Sequence, residues 1–374
     1  NHVELNLHIN NLPILIYGKN GCGKTNILEA ISLLNQGRGL RKSNLEDFLY
    51  QNTGDHTNYL WGINADIKTP NGKFNIGTGL RENSIKRSRV AKVNSENFPL
   101  SSLETIIKIL WVTPQMCMLF QSGMSSKRRF IDQLALSLDN LHLNRVYKFE
   151  TLLRNRSKIL MGYNSDQAWL DTIESQISEL AVAITATRVD LIYELNNLYN
   201  NELKNNLLTN NFPPVEIKLI GNIETLLSER PALEVENYVK LMLKESRLTS
   251  ENFNFGPSNT IIQFLNRTNN KNTDISSTGE QKLILISLIL AHARLLNFKF
   301  NMAPILLLDD IIEHLDKKHR NSLFLEVARH HAQTWFTSTS KEAFDDYPGL
   351  IRKINLPKII ESTNAKYDFR HGEI

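Results

Sequence analysis

The residues with the clearest chemistry are Gly18, Lys19, Asn20, Gly21, Cys22, Gly23, Lys24 and Thr25, which spell G-x-x-x-x-G-K-[ST]. In that pattern the glycines let successive backbone N–H groups turn inward onto phosphate oxygens. A helix opening at Lys24 adds the partial positive charge of its N-terminus. Lys24 reaches the β- and γ-phosphates, and the Thr25 hydroxyl is a Mg²⁺ ligand. The expected ligands are therefore ATP and Mg²⁺. Cys22 holds a variable position, where either a small filler or a redox thiol fits. A second set, Asp309 and Asp310, follows the apolar run Ile305-Leu306-Leu307-Leu308. Asp309 is expected to hold Mg²⁺, directly or through water, and Asp310 to orient or deprotonate the attacking water. The bland alternative is a strand end with solvated aspartates. A third set is Ser277 and Gly279, just before an apolar helix. There a hydroxyl, backbone N–H groups and a helix dipole converge. Ser277 with Glu280 also reads as a plain capping box. The two readings are compatible, because a γ-phosphate can complete a cap.

The elements that must position these groups are legible from pattern. Residues 12–17 are a short apolar run ending at Gly18, a buried strand, and residues 25–34 carry Ile27, Leu28, Ile31 and Leu34 at helical spacing. Residues 60–80 alternate around Pro70-Asn71-Gly72, a hairpin signal. Residues 81–92 are basic and read as a loop or strand edge. Residues 141–160 read as a helix. Leu170, Ile173, Ile177, Leu180, Ile184, Leu191, Leu195 and Leu198 then recur at spacings of three and four, with Thr187 filling one seam position. That pattern fits a two-helix antiparallel arm or a pair of ordinary core helices. Residues 196–211 read as a polar loop, 215–220 as a strand and 266–274 as a polar linker. Helices over 283–296 and 320–330 and strands over 305–308 and 334–337 return the chain to α/β.

The long separation of the loop from Asp309 points to an α/β ABC-type P-loop ATPase head with an inserted, mainly helical arm subdomain. The expected segments are residues 1–124 (first part of the head), 125–268 (arm) and 269–374 (second part of the head). The 374 residues carry a net charge of only +4, so any nucleic-acid contact must come from local patches. Candidates are Arg81, Lys86, Arg87, Arg89 and Lys92, and Arg154, Arg156 and Lys158, each cluster weighed against a plain solvated face. Lys127, Arg128 and Arg129 are read alternatively as structural. Two cysteines build no disulfide framework. No apolar run reaches bilayer length and the sequence does not open on a signal peptide, so a cytoplasmic protein is expected.

Taken together the motifs resemble the RecF family of DNA-repair ATPases, a branch of the ABC ATPases related to SMC proteins. The resemblance rests on the loop and its helix followed by Gly37-Arg38-Gly39-Leu40-Arg41, and on Val112-Thr113-Pro114-Gln115 followed by Lys127-Arg128-Arg129-Phe130-Ile131-Asp132. It rests further on a signature motif at Ser277–Lys282 and on a Walker B and D-loop from Leu306 to Asp316. Gln115 is the candidate Q-loop residue, and Thr337-Ser338-Thr339 occupies the switch segment, where many ABC proteins place His. The resemblance implies a slow ATPase that forms an ATP-dependent homodimer. Two heads would sandwich two ATP molecules between the phosphate loop of one copy and Ser277-Gly279 of the other, with Asp316 across the interface. It implies clamping of double-stranded DNA near gaps, RecR- and RecO-type mediator partners, and help in loading the recombinase. Competing readings are the nucleotide-binding subunit of a transporter, an SMC-like chromosome organiser and an ATP-driven nuclease. The arm and the missing switch His argue against the first. The short arm argues against the second, since thirty helical residues span only about 45 Å. A nuclease needs a further carboxylate cluster, which the sequence does not offer.

Overall fold

The structure, a computed structural model, describes residues 12–45, 47–48, 61–82, 87–161, 166–204, 212–247, 255–329 and 333–356. In chain order its elements are β1 (Ile14–Tyr17), α1 (Lys24–Ser32), β2 (Gly62–Thr69), β3 (Gly72–Glu82), β4 (Arg87–Val93), β5 (Glu96–Phe98) and β6 (Ile109–Val112). There follow α2 (Met124–Leu136), α3 (His142–Leu160), α4 (Gln167–Lys204), β7 (Val215–Ile220), α5 (Asn222–Glu229), α6 (Ala232–Glu245), β8 (Ile261–Asn266) and β9 (Lys271–Asn272). The chain ends with α7 (Thr278–Phe300), β10 (Ile305–Leu308), α8 (Lys317–Arg329), β11 (Thr334–Ser338) and β12 (Arg352–Asn355). Contacts divide the chain into two compact units, one of residues 1–117, 209–212 and 292–374, the other of residues 118–208 and 213–291. The division falls inside α7, so the Ser277 segment belongs to the second unit, not with Asp309 as the sequence segments had it.

In the first unit a five-stranded parallel sheet runs β12-β1-β11-β10-β6. Strands β1, β6 and β10 are continuous apolar runs, as a parallel sheet covered on both faces requires, while β12 at the edge carries Arg352, Lys353 and Asn355. The loop strand β1 and the Asp309 strand β10 both flank β11, so their C-terminal ends face the same edge, where open α/β sheets bind ligands. An antiparallel sheet, β2-β3-β4-β5, packs its inner face into the same core as α1: Ile76, Ala91 and Val93 join Leu28, Leu34 and Ile107. The β2–β3 hairpin turns on Pro70-Asn71, with Thr69 opposite Gly72, as the sequence pattern predicts.

Residues 87–93 are a strand, the second of the two readings, paired on one side only at residues 87–90, and Arg89 points inward with Ala91 and Val93. Its guanidinium donates to the carbonyls of Leu33, Gly37 and Asn35 (2.7 Å to Asn35) and to the Thr78 hydroxyl at 2.9 Å. It thereby closes the C-terminal end of α1, where carbonyls lack intrahelical donors. Burial pulls it down to about 10, still cationic at neutral pH. Arg89 is therefore an internal clamp and not a DNA contact. Lys86 and the Arg87 side chain lie outside the described residues.

In the second unit α3 and α4 lie along each other, and α6 adds Val235, Val239 and Leu243 to their core. The bundle has more than the two helices expected. α4 continues through residues 196–204, where a loop was expected, because Leu195 and Tyr199 are buried and Asn196 trades two hydrogen bonds with the backbone of Ile217. The seam position assigned to Thr187 belongs to Arg188, which binds Asp132 bidentately at 2.8 and 2.9 Å. Asp132 also meets buried His142 at 2.8 Å. Burial would raise the Asp132 carboxyl, but these partners outweigh it and hold it low. Arg156 is likewise internal, paired with Glu174 at 2.8 Å, which removes it from the DNA candidates. Residues 266–274, expected as a linker, hold β9 and a 3-10 turn with Thr273 buried. By length and composition α7 is apolar enough to cross a membrane, yet Ile284, Leu285, Leu288, Ala291 and Leu296 are fully buried in protein. It is a core helix, longer than the apolar run read from the sequence.

Candidate nucleotide site

The phosphate loop joins β1 to α1. Gly21 and Gly23 sit at φ 81° and 99°, a left-handed backbone that side chains rarely adopt. A Cβ on Gly18 would lie 2.5 Å from the Leu356 carbonyl oxygen, so this position admits no side chain. Lys24 is 5% exposed, and its ammonium is held at the loop by the carbonyls of Gly18 (2.8 Å) and Lys19 (3.3 Å). Cys22 is buried in the core beneath the loop, the place of a filler.

Thr25 donates its hydroxyl hydrogen bond to Asp309 Oδ1 at 3.0 Å, bringing together residues 284 positions apart. The Thr337 hydroxyl donates to the same Asp309 oxygen at 2.9 Å and accepts the Asp310 N–H at 2.8 Å. Asp310 has φ 49°, a conformation that Asp tolerates better than most residues, and this turn carries the chain off the strand end. Its carboxylate oxygen lies 3.3 Å from Thr337 Oγ1. Burial pushes the Asp310 carboxyl up, with the charges of Asp309 and Glu313 adding to it and Lys24 opposing.

Glu313 was not singled out in the sequence. It accepts hydrogen bonds from the Thr339 N–H and from the Ser338 hydroxyl (3.3 Å), tying the turn after β10 to the end of β11. Burial raises its carboxyl, but those hydrogen bonds and the Lys24 charge outweigh it and leave it below the usual range. No local pattern betrays this contact, because the partners are 26 residues apart. The segment after α1 is anchored by Glu29, which accepts the Arg41 N–H at 2.9 Å, while the Arg41 guanidinium donates to Asn26 at 3.0 Å.

Gln115 is exposed just after β6, the strand beside β10, on the edge where Asp309 emerges. Ser277 and Gly279 lie in the second unit, at the exposed start of α7. Ser277 N–H donates to Glu280 Oε2 at 3.0 Å, and Glu280 N–H donates back to the Ser277 hydroxyl at 3.3 Å, the capping box expected from the sequence. Asp316 is exposed and accepts from the His319 N–H at 2.8 Å.

A strand, a glycine loop and a helix, with two carboxylates and a hydroxyl at the adjoining strand ends, define a P-loop nucleotide-binding head of the ABC/SMC type. The chain matches the family model "RecF/RecN/SMC N terminal domain" over residues 2–356. It is 34% identical over 359 residues to the DNA replication and repair protein RecF of Brucella suis biovar 1 (strain 1330), covering 95% of this chain and 91% of that one. It is 34% identical over 350 residues to the same-named protein of Agrobacterium fabrum (strain C58), covering 92% and 90%. Among solved structures it resembles "the recombination mediator protein RecF-ATPrS in RecFOR pathway", with TM-score 0.76, 20% identity and coverage of 95% and 94%. The RecF-ATP structure of the same pathway gives TM-score 0.71 and 21% identity, covering 90% of this chain and 88% of that one. The chain belongs to the RecF family of the RecF/RecN/SMC proteins.

Proposed function

We propose that this protein is an ATP-gated DNA clamp of recombinational repair. Two copies dimerise on ATP, close on double-stranded DNA near gaps, and release it after slow hydrolysis to ADP and phosphate. The observation that carries the reading is the convergence of Thr25, Asp309, Thr337 and Asp310 at the mouth of the phosphate loop, while Ser277 sits exposed in a separate unit. Half of a hydrolytic site is complete inside the chain. The complementary half, exposed at the start of α7, is read as serving a second copy.

In this reading the N–H groups of residues 18–25 surround the phosphates, and Lys24 leaves the Gly18 carbonyl to meet the β,γ oxygens. Thr25 Oγ1 and Asp309 Oδ1, 3.0 Å apart, form a hard-oxygen pair suited to hold Mg²⁺. Mg²⁺, when bound, neutralises charge on the transferring phosphoryl group. Asp310 orients or deprotonates the attacking water, held in place by Thr337. Ser277 and the Gly279 N–H of the second copy close over the γ-phosphate, and Gln115 and Asp316 line that junction. The exposed Arg81, Lys92, Arg154 and Lys158 remain as candidate phosphate contacts, and the resemblance supplies RecR- and RecO-type partners. In this reading the protein acts on DNA in the cytoplasm.

The test is gel-shift binding of double-stranded and gapped DNA with ATP, with ADP and without nucleotide, alongside sedimentation. DNA binding and dimerisation are both expected to require ATP. Binding indifferent to nucleotide would sink the clamp mechanism.

A further inference from the structure

The segment leading to Ser277 is held from behind by a buried charge. Lys127 on α2 has a side chain only 2% exposed, and its ammonium donates to Asp274 Oδ1 at 2.6 Å. Lys127 shares the inward face of α2 with Phe130, Ile131 and Leu134. Asp274 lies three residues before Ser277, and its own N–H donates to Asn272 Oδ1 at 3.0 Å. Gln281, one turn into α7, donates to the Thr273 carbonyl at 3.0 Å and accepts from Gln121 at 3.2 Å. The signature turn is thus fixed from behind: the Ser277 carbonyl accepts the Gln281 N–H at 2.9 Å, while among the described residues the Ser277 hydroxyl meets only Glu280. Ile275 beside it is 77% exposed, a large apolar side chain on the same presented surface.

A buried ammonium is costly, and an apolar side chain of similar length would satisfy packing alone. The charge is explained by what it holds. We infer that Lys127, through Asp274, is a positioning residue that sets Ser277 and the Gly279 N–H for the γ-phosphate bound by a second copy of the chain. This rests on the ATP-sandwich reading above. It assigns to Lys127 a defect that acts in trans: a protomer lacking it keeps its own phosphate loop but fails its partner's nucleotide.

The experiment compares wild type, Lys127→Met, Asp274→Asn and Lys24→Ala, alone and mixed. Lys127→Met is expected to bind ATP within about twofold of wild type as a monomer while losing about tenfold or more of its ATP hydrolysis and ATP-driven dimerisation. Asp274→Asn, nearly isosteric, keeps the fold if Lys127→Met does not, and is expected to lose about threefold or more in the same two assays. An equal mixture of Lys127→Met with Lys24→Ala contains one intact composite site in each mixed dimer, so hydrolysis is expected to recover toward about a quarter of the wild-type rate. Wild type that neither dimerises nor hydrolyses with ATP defeats the sandwich reading, independently of Lys127. If wild type does both, the inference is overturned by variants that hydrolyse like wild type. It is equally overturned by loss of monomer ATP binding in both variants, or by a mixture as inactive as its components.

Discussion

At the phosphate loop the reactive groups already touch one another. Thr25, Asp309, Thr337 and Asp310 share hydrogen bonds of 2.8–3.0 Å at the edge of a parallel sheet, and Lys24 is held against the loop's own carbonyls. At the start of α7 the arrangement is reversed. Among the described residues the Ser277 hydroxyl meets only Glu280, and the groups that stiffen its turn, Lys127, Asp274 and Gln281, stand behind it. The first region is a network organised for its own chemistry. The second is an exposed turn whose supports are internal and which the proposed function assigns to the nucleotide of a second copy. Under the proposed function, the contrast is that of a hydrolytic site divided so that neither half suffices.

The largest expected effect lies in the first region. Asp310→Asn preserves the backbone, since Asn also tolerates positive φ, and removes the carboxylate charge. Single-turnover hydrolysis should fall by about 10²–10³-fold, roughly 3–4 kcal/mol, with ATP affinity nearly kept and the dimer trapped. Rapid turnover by that variant would move the catalytic role elsewhere, with Glu313 the first place to look. Lys24→Ala should weaken ATP binding about 100-fold, read by calorimetry, and abolish the thermal stabilisation that ATP gives. A protein that keeps that stabilisation breaks the comparison at its stronger side.

Arg89→Met tests whether the first region depends on its clamp. It leaves the α1 carbonyls without a donor and should lower unfolding stability by about 2–3 kcal/mol in denaturant titration. The salt slope of DNA binding should not move. Ser277→Ala probes the second region. Monomer ATP affinity should stay within about twofold while ATP-driven dimerisation weakens about tenfold, beyond the roughly 1 kcal/mol helix-cap loss. An equal loss of monomer ATP binding would erase the distinction between the two halves. The smallest effect is expected from replacing Arg81 or Lys92 by Gln, each reducing the salt slope of DNA binding by about one if it meets a phosphate.

The convergence of the first region was readable because its groups sit on backbone and strand ends: a glycine loop after an apolar run, and aspartates after another. The capping box of Ser277 and Glu280 was readable because its partners are local. Arg89 was read as a DNA candidate and Arg188 was passed over because their charge outweighed their phase, while Lys127 was read as structural without its partner Asp274. Arg89 shares parity with Ala91 and Val93, and Arg188 follows Ile184 by four and precedes Leu191 by three. Lys127 falls on one helical stripe with Phe130, Ile131 and Leu134. Each lies on an inward face by periodicity, and each has a distant acceptor that no local pattern reveals. Glu313 had not even a periodic signal, because its partners belong to another strand.

The pairing of β1 has a consequence for how the protein is made. β1 leaves the ribosome before every other described strand, yet its neighbours are β11 and β12, the last two strands among the described residues. At translation rates of about 5–20 residues per second, β1 waits roughly 15–65 s for them. Residues 118–291 emerge in the interval as a nearly continuous unit. The helical bundle can therefore be complete before the parallel sheet closes, and an apolar strand bearing the phosphate loop must stay shielded meanwhile. Truncated nascent chains ending near residue 300 should protect α4 from protease and leave residues 14–32 open to it.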